Sequence, residues 1–289
     1  MPCNNLNHFA KLCIKRSLNR FNLYKKSPLF INQMRRDRDY YTVLEFPKCG
    51  RTWLRYMINQ AESFKYDIPL INTMNDVQYP ESKLPRVFYV HGFSPEFSLK
   101  DKHYKKLFNK YFGPNSVIFM VRNPIRVMIS YYHQCVYRNH IYNGPINDFI
   151  RNPNYGIEKY VEYIEFYMKN LAFVKNQNGT KYKIIKYEDL QMNTFDILKQ
   201  VLMFVDLDLD DKSVSRIVEN STFKKMQEIE RMNKFKVPWI SQFDHNDNRT
   251  AKVRNGSNEE VTSYFSKSDI DFINSKYINC KYFTELGYN

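Results

Sequence analysis

The chain has 289 residues, of which 43% are hydrophobic and 26% are charged. This composition is typical of a globular protein and excludes wholesale disorder. The apolar runs, such as residues 117–121, are far shorter than the ~20 residues of a membrane helix. Lysine and arginine exceed acidic residues by 44 to 30, a net charge of +14. That excess indicates a nucleic-acid partner, a small and highly charged anionic ligand, or a role in solubility alone.

Cysteine usage and the N-terminal segment bear on location and domain organisation. The five cysteines lie at positions 3, 13, 49, 135 and 280 and form no CxxC pair, which argues against a disulfide framework and a zinc site. Residues 1–38 are basic and lack an apolar signal-peptide core. We therefore expect a basic, helical extension over 1–38 and one domain over 39–289, in the cytoplasm. A membrane-surface or targeting role for the extension is the alternative.

Short apolar segments then alternate with segments of helical periodicity. A strand pattern occurs at 40–46, 86–90, 117–121 and 182–187, and a helical pattern at 51–64, 124–136, 157–177 and 191–205. This alternation, without a break in composition, predicts a single three-layer α/β domain with a central parallel sheet flanked by helices. Residues 231–250 lack clear periodicity, which predicts a surface loop or lid.

The strand-to-helix turn at residues 46–53, with the sequence FPKCGRTW, carries the strongest chemical signal. Such a junction directs free backbone N–H groups and the positive end of the helix dipole towards one point, which is an anion site. Gly50 permits a close approach of the backbone, Lys48 adds a cation, and Thr52 adds a hydroxyl donor. Because Lys48 precedes Gly50, the segment is not a Walker loop, and by itself it is equally consistent with an ordinary turn.

Two further basic turns suit the same kind of ligand. Arg122 ends the third predicted strand, and Ser130 lies eight residues later on the following helix, a little over two turns away. Arginine binds phosphate with a planar fork of donors. Residues 254–256, Arg-Asn-Gly, form the third basic turn. Considered singly, these segments also allow an ion-paired arginine, a surface serine and a plain loop.

Together, five segments in this order resemble the sulfotransferases that use 3′-phosphoadenosine 5′-phosphosulfate (PAPS), over roughly residues 40–265. The resemblance implies a P-loop-nucleotide-kinase-like sulfotransferase fold. In that family the first turn holds the 5′-phosphosulfate, the second and third hold the 3′-phosphate, and a YED strand end and a Ser/Thr-Phe-x-x-Met segment lie by the adenine. The residues thereby assigned to the nucleotide are Lys48, Cys49, Gly50, Arg51, Thr52, Trp53, Arg122, Ser130, Tyr187, Thr222, Phe223, Met226, Arg254, Asn255 and Gly256.

The resemblance also implies a mechanism. His91 follows the second predicted strand, where an α/β sheet places ligands and where the family carries its general base. A structural role is the alternative for any single histidine, and His133, Glu62 and Asp76 are other candidates for the base. The expected reaction is an in-line displacement in which His91 takes the acceptor's proton and Lys48 neutralises the charge that develops on the donor.

Arg51 stands where the family usually has threonine. It still supplies a backbone N–H group, and its side chain either contacts the sulfonate or points away. No metal is expected, because lysine and arginine supply the positive charge and no cluster of metal-ligand residues occurs in the sequence.

The sequence thus predicts sulfonate transfer from PAPS to a hydroxyl or amine of a small molecule, in the soluble, cytosolic-type branch, with bacterial natural-product tailoring as one setting. A nucleotide kinase-like phosphotransferase and a basic nucleic-acid-binding protein are the alternatives; no Walker or nucleic-acid-binding motif supports them. Neither a nucleic-acid partner nor a membrane span is expected. Acceptor contacts are expected from 60–85, 133–150 and 231–250, where Asp244 and Asp247 either pair with a cationic acceptor or belong to a solvated loop.

Overall fold

The computed structural model describes residues 40–74, 86–91, 108, 116–178, 181–242, 244–253 and 261–288. The described residues from Tyr41 onward belong to one compact unit. The predicted extension over 1–38 and the basic turn over 254–256 lie outside the described residues, as does Asp76. Within the part of the chain that is described, no helix is both long and apolar enough to cross a bilayer.

Four strands form one sheet in the order β2-β1-β3-β4: β1 (Tyr40–Glu45), β2 (Arg86–Val90), β3 (Ser116–Val121) and β4 (Tyr182–Lys186). β3 runs parallel to both β1 and β4, with Leu44 opposite Phe119 and Phe119 opposite Ile184. The predicted α/β class is confirmed. After β1 the chain goes to one side for β2 and to the other for β3. The carboxyl ends of β1 and β3 therefore flank a topological switch point, the usual ligand site of such a sheet.

Helices follow the strands much as their periodicity predicts. Asn123 caps the helix after β3 by accepting the backbone N–H of Arg126 at 3.2 Å, with Pro124 at the first helical position. The described helices are α1 (Arg51–Tyr66), α2 (Leu70–Met74), α3 (Pro124–His133), α4 (Ile146–Arg151), α5 (Ile157–Asn178), α6 (Tyr187–Met192), α7 (Thr194–Phe204), α8 (Asp211–Asn220), α9 (Phe223–Arg231), α10 (Lys267–Tyr277) and α11 (Lys281–Glu285). A π-turn over Gln134–Arg138 extends α3, and 3-10 turns lie at Asn248–Thr250 and Val261–Ser263.

Three strand boundaries differ from the prediction by one residue, and the difference at the end of the last strand affects the site. The pattern extended the last strand to Tyr187, whereas β4 ends at Lys186 and Tyr187 begins α6. An aromatic residue at the end of an apolar run suits a strand equally well, so the periodicity alone did not locate the turn. The consequence is that Tyr187 lies at the beginning of a helix, on the same edge of the sheet as the 46–50 turn.

Buried aromatic side chains support that edge from below. Tyr160 and Tyr163 of α5 are fully buried, and the ring of Phe46 packs against both, at centroid distances of 4.9 and 5.3 Å. Phe119 of β3 stacks on Tyr163 at 6.2 Å. The high aromatic content thus forms a rigid layer between α5 and the strand ends that carry the functional residues.

The aperiodic segment 231–250 is anchored more firmly than a surface lid. Phe235, Val237 and Ile240 are buried in a second, smaller core with Met226 of α9. Trp239 donates its indole N–H to the carbonyl of Met74 at 3.1 Å. These residues contact the core from irregular turns and not from one face of a helix or strand. Their spacing in the sequence therefore shows no helical or strand periodicity.

Candidate active site

The turn after β1 has the backbone of an anion cradle. Lys48 and Gly50 both have positive φ angles, 79° and 107°, and the Gly50 carbonyl accepts the N–H groups of Trp53 and Leu54 to begin α1. A Cβ atom at Gly50 would stand 2.5 Å from Cδ2 of Tyr187. Glycine is therefore required there for its left-handed conformation and for the close approach of the Tyr187 ring.

Arg122 lies against this turn. Its NH1 donates to the carbonyl of Lys48 at 3.0 Å, and its guanidinium lies over the Tyr187 ring at 4.3 Å. The side chain is buried, and its Nε has no hydrogen-bond partner among the described residues. A buried guanidinium that is held in place and still has a donor to offer suits a phosphate ligand.

Tyr160 fixes the backbone of Arg122. Its hydroxyl donates to the Arg122 carbonyl at 2.7 Å and accepts the Arg122 N–H at 3.2 Å. The same oxygen lies 4.0 Å from Sγ of the buried Cys49. Glu188 adds a second tie, because its Oε1 accepts the N–H of Asn123 at 2.9 Å. These contacts join the turn after β1 to the end of β3 as one rigid unit.

The residues predicted to lie near the adenine are also brought together. Trp53 meets Tyr187 edge-on at 6.1 Å, and its indole N–H donates to the Ser221 carbonyl at 2.7 Å. Thr222 is exposed at the N-cap of α9, followed by Phe223, whose side chain is 38% exposed. Met226 is buried in the second core. Ser130, which was predicted to bind the 3′-phosphate, is buried on α3. Thr52 is half-buried in the first turn of α1.

A third segment reaches the same place. Nζ of Lys48 donates to the carbonyl of Lys252 at 3.5 Å, which places the chain just before 254–256 next to the turn after β1. The buried Glu230 of α9 accepts the backbone N–H groups of Lys252 and Val253 at 2.6 and 2.8 Å. Arg254, Asn255 and Gly256 themselves lie outside the described residues, so their predicted role stays a prediction.

The side chain of Lys252 is unusual for a lysine. Its Nζ donates to the Trp239 carbonyl at 2.7 Å. Burial, together with the charges of Arg138 and Lys48, lowers its pKa from 10.5 to about 7. An anion bound beside Lys48 and Lys252 would offset the repulsion and raise this pKa again.

His91 lies at the carboxyl end of β2, half-buried, in contact with two charged residues. NH2 of Arg51 lies 2.7 Å from Nε2 of His91, and Oε1 of Glu45 lies 3.6 Å from Nδ1. The hydroxyl of Tyr163 donates to the His91 carbonyl at 2.9 Å. Burial and the Arg51 charge lower the pKa of His91 well below 6.5. The imidazole is therefore neutral at pH 7.

A cavity of about 490 Å³ opens between two segments that the sequence assigned to acceptor binding, 136–143 and 244–250. Arg138 holds these segments together by donating to the carbonyls of Thr250 and Ser241 at 3.0 and 2.7 Å. Asp247 is already paired with Arg249, whose guanidinium also lies over the Tyr137 ring. Asp244 is exposed at the cavity, so it is the better candidate of the two for contact with a cationic acceptor.

The arrangement fits a polyanionic nucleotide. Lysine, a helix N-terminus and a buried arginine with an open donor converge at the carboxyl ends of β1 and β3, beside aromatic rings suited to a base. In the described part of the chain, His, Cys, Asp and Glu side chains form no group that could hold a metal ion.

Sequence reasoning missed four residues that shape this site: Glu45, Tyr160, Glu230 and Lys252. A signal existed for Glu45, because a lone carboxylate interrupts the apolar strand 40–46 directly before the turn. Tyr160 is one of many aromatic residues on a long helix, and nothing in the sequence separates it from the others. Glu230 and Lys252 meet across 22 residues of aperiodic chain, where spacing carries no information.

Comparison with known proteins was made on sequence and on structure. The sequence model of the family described as "Sulfotransferase domain" matches residues 39–280. Human sulfotransferase 6B1 is 25% identical over 202 residues, which cover 65% of this chain and 62% of that protein. Mouse sulfotransferase 1B1 is 22% identical over 245 residues, with coverage of 81% and 80%. The chain thus spans less than two thirds of the sulfotransferase 6B1 relative.

Solved structures show the same fold. Mouse sulfotransferase SULT7A1, crystallised with PAP, superposes with a TM-score of 0.57 at 17% identity, covering 87% of this chain and 88% of that one. Retinol dehydratase in complex with androsterone and the inactive cofactor PAP gives a TM-score of 0.53 at 13% identity, with coverage of 85% and 80%.

Proposed function

The chain belongs to the sulfotransferase family, and on that basis we propose that it moves a sulfonate group from PAPS to a hydroxyl or amine of a small-molecule acceptor. One observation carries the proposal: Lys48, Arg122 and the segment that ends at Val253 converge on the Gly50 turn, between β1 and β3. Three cationic segments from distant parts of the chain meet there, as a doubly phosphorylated ligand requires.

In this proposal each part of the nucleotide has its own residues. The turn over 46–53 binds the 5′-phosphosulfate through backbone N–H groups and Lys48. Arg122, with Ser130 and the 254–256 turn, binds the 3′-phosphate and so selects the nucleotide against ADP. Trp53, Tyr187 and the 221–226 segment contact the adenine.

Bound PAPS would supply a sulfonate on a phosphate leaving group. His91 takes the proton of the acceptor, a step typically worth about 10²–10⁴-fold in rate. Lys48 stabilises negative charge that grows on the donor oxygens, an effect of about 10²–10³-fold. The neutral imidazole of His91 and the position of Lys48 at the helix N-terminus support these two roles.

A small acceptor suits the cavity of about 490 Å³ between 136–143 and 244–250. Rabbit amine sulfotransferase is among the relatives, at 22% identity, and the retinol dehydratase structure holds androsterone. We therefore place the acceptor, a hydroxyl- or amine-bearing small molecule, in this cavity. Cytoplasmic location remains a prediction from the sequence.

The decisive experiment has two steps. Calorimetric titration with PAP and with ADP is expected to give binding at least tenfold tighter for PAP, because ADP lacks the 3′-phosphate. A panel of phenols, alcohols and amines is then incubated with PAPS, and the expected product gains the mass of one sulfonate. Tighter binding of ADP, or transfer of a phosphoryl group from ATP, would replace this proposal with a nucleotide kinase.

Two variants test the assigned roles. Lys48→Ala is expected to lower kcat at least 100-fold and to weaken PAP binding, whereas the exposed Lys199→Ala leaves both unchanged. His91→Ala is expected to keep PAP affinity and lose most turnover. Unchanged turnover in either active-site variant contradicts the role given to that residue.

A further inference from the structure

An ion pair with a buried carboxylate and a partly exposed guanidinium lies at the turn over 46–53. Glu45, the last residue of β1, is 3% exposed. Its Oε2 accepts the backbone N–H of Arg51 at 2.8 Å, and its Oε1 lies 3.6 Å from Nε of the same residue. The carboxylate thus uses a helix N-terminal donor that an anionic ligand would otherwise bind. A lone carboxylate at this position would repel that ligand, and the Arg51 charge offsets it.

The terminal nitrogen NH2 of Arg51 contacts His91, the proposed general base. A guanidinium only donates hydrogen bonds, so Nε2 of His91 accepts the contact from NH2 of Arg51 at 2.7 Å. The proton of the neutral imidazole is then on Nδ1, the nitrogen that lies 3.6 Å from Oε1 of Glu45. Arg51 therefore occupies the lone pair that the acceptor's proton must reach, while Glu45 favours the tautomer that keeps this lone pair on Nε2.

The two contacts of Arg51 use different atoms. Its backbone N–H and Nε face Glu45, whereas NH2 faces His91. The guanidinium can therefore release the imidazole without losing its carboxylate partner. Arg51 is also the first residue of α1 and directly follows Gly50 of the phosphosulfate turn, which places it within reach of a ligand held there.

On the basis of the proposed function, we propose that Arg51 is a further catalytic residue and Glu45 its positioning residue. Arg51 donates to Nε2 of His91 in the nucleotide-free protein and transfers this hydrogen bond to the sulfonate when the turn binds the donor. The freed Nε2 takes the acceptor's proton as the acceptor oxygen or nitrogen bonds to sulfur. The sulfur–oxygen bond to the phosphate breaks, and its electron pair stays on the phosphate oxygen. The base is thus available only when the donor is bound.

Several charged groups face His91 besides this pair. Lys48 from the turn and Lys252 from the 251–253 segment both lower the pKa of His91, and Glu45 raises it. The Tyr163 hydroxyl donates to the His91 carbonyl rather than to its ring. Because Arg51 is the largest of the lowering charges, its removal from the imidazole is expected to raise the pKa of His91.

The first test observes His91 without any turnover. The protein is labelled with ¹⁵N-histidine, and the His91 signals are assigned by their loss in His91→Gln. Without nucleotide, the expected state is the Nδ1–H tautomer with a pKa below 6.5. PAPS, added without an acceptor, is expected to raise this pKa by about one unit or more. In Arg51→Met the pKa of His91 starts higher and PAPS raises it less, because only the ligand's charge acts. An equal rise in both proteins overturns the inference.

The second test is a double-mutant cycle on PAP affinity. Arg51→Met leaves a buried, unpaired carboxylate beside the ligand and is expected to weaken PAP binding about 100-fold. The double variant Glu45→Gln/Arg51→Met also removes the carboxylate charge, so it is expected to bind PAP at least tenfold more tightly than Arg51→Met. Its kcat is expected to stay about 100-fold below that of wild type. A double variant that regains affinity and kcat together assigns the pair a purely structural role and overturns the inference. Because it lacks the unpaired charge, the double variant also serves if Arg51→Met does not fold.

The conservative variant separates charge from geometry. Arg51→Lys keeps the charge but lacks the second donor arm, so it is expected to restore most of the PAP affinity and only part of kcat. The acid limb of its kcat/KM profile is expected to lie between those of wild type and Arg51→Met. A wild-type protein that binds no PAP refutes the proposed function; PAP binding with His91 signals independent of Arg51 refutes only this inference.

Discussion

Two arginines, the buried Arg122 and the partly buried Arg51, lie at the candidate site and are held by different kinds of partner. Arg122 is held by a neutral partner, the Lys48 carbonyl, and by the face of the Tyr187 ring, and its Nε remains open. Arg51 is held by a carboxylate and an imidazole. Neutral partners hold a charged side chain in place without neutralising it, whereas a carboxylate neutralises the charge within the protein. The first arrangement suits permanent recognition of a phosphate, and the second suits a charge that changes partners during a reaction.

The largest expected effect separates the two arginines directly. Arg122→Met removes the guanidinium proposed to bind the 3′-phosphate and is expected to weaken PAP binding about 100-fold, while the affinity for adenosine 5′-phosphosulfate, which lacks the 3′-phosphate, falls less than fivefold. Calorimetry with both nucleotides measures this, with the exposed Arg231→Met as control. When Glu188→Gln is added to Arg122→Met, PAP affinity is expected to recover less than twofold. This differs from the recovery of at least tenfold expected when Glu45→Gln is added to Arg51→Met. A recovery of PAP affinity by tenfold or more would show that Glu188 neutralises the charge of Arg122, as Glu45 neutralises that of Arg51.

Both arginines contact or adjoin the turn after β1, and a substitution at Gly50 is expected to disturb that turn. Gly50→Ala introduces a Cβ into a left-handed residue and within 2.5 Å of the Tyr187 ring. We expect a loss of about 2 kcal/mol in unfolding free energy, or a Tm lower by about 4–8 °C, measured by thermal denaturation. Adding Tyr187→Ala relieves the steric part and is expected to recover about half the loss. No change in Tm for Gly50→Ala contradicts the backbone geometry described above.

A smaller effect is expected where the third cationic segment is anchored. Glu230→Gln weakens the two hydrogen bonds to the backbone N–H groups of Lys252 and Val253. PAP affinity is expected to fall about tenfold while the KM for the acceptor changes less than twofold, because only the segment before 254–256 loosens. The exposed Glu219→Gln on α8 is the matched control. Equal changes for donor and acceptor would contradict a local role.

A separate effect is a pH dependence of stability. In the folded protein burial, Arg138 and Lys48 hold the pKa of Lys252 at about 7, whereas in the unfolded chain it titrates near its ordinary value. The unfolded state therefore binds more protons between pH 7 and about 10, and the free energy of unfolding rises with pH across that window. Urea unfolding at pH 7 and 9 is expected to show this rise in wild type and Lys199→Met, and a smaller one in Lys252→Met. Identical slopes in all three proteins contradict the lowered pKa.

Much of the fold was readable from local patterns. The strand pattern located the parallel sheet, and Asn123 with Pro124 located the start of α3 within a residue. The order of the chemical segments identified the family, which the match over 39–280 bears out. Local rules failed at Tyr187 and over 231–250, because the boundary of β4 and the burial of Phe235 and Ile240 depend on partners far away in the chain.

The sequence by itself determined the α/β class, the glycine-containing turn after β1, and the residue types that surround it, because each follows from a short stretch of chain with its own periodicity or backbone requirement. Only the tertiary structure decided which charged side chains are neutralised by a nearby opposite charge and which are not. Arg51 and Arg122 look alike in the sequence, yet one meets Glu45 and His91 while the other meets a backbone carbonyl and a ring. The strength of a buried charge depends on what surrounds it in space, and spacing along the chain does not record that.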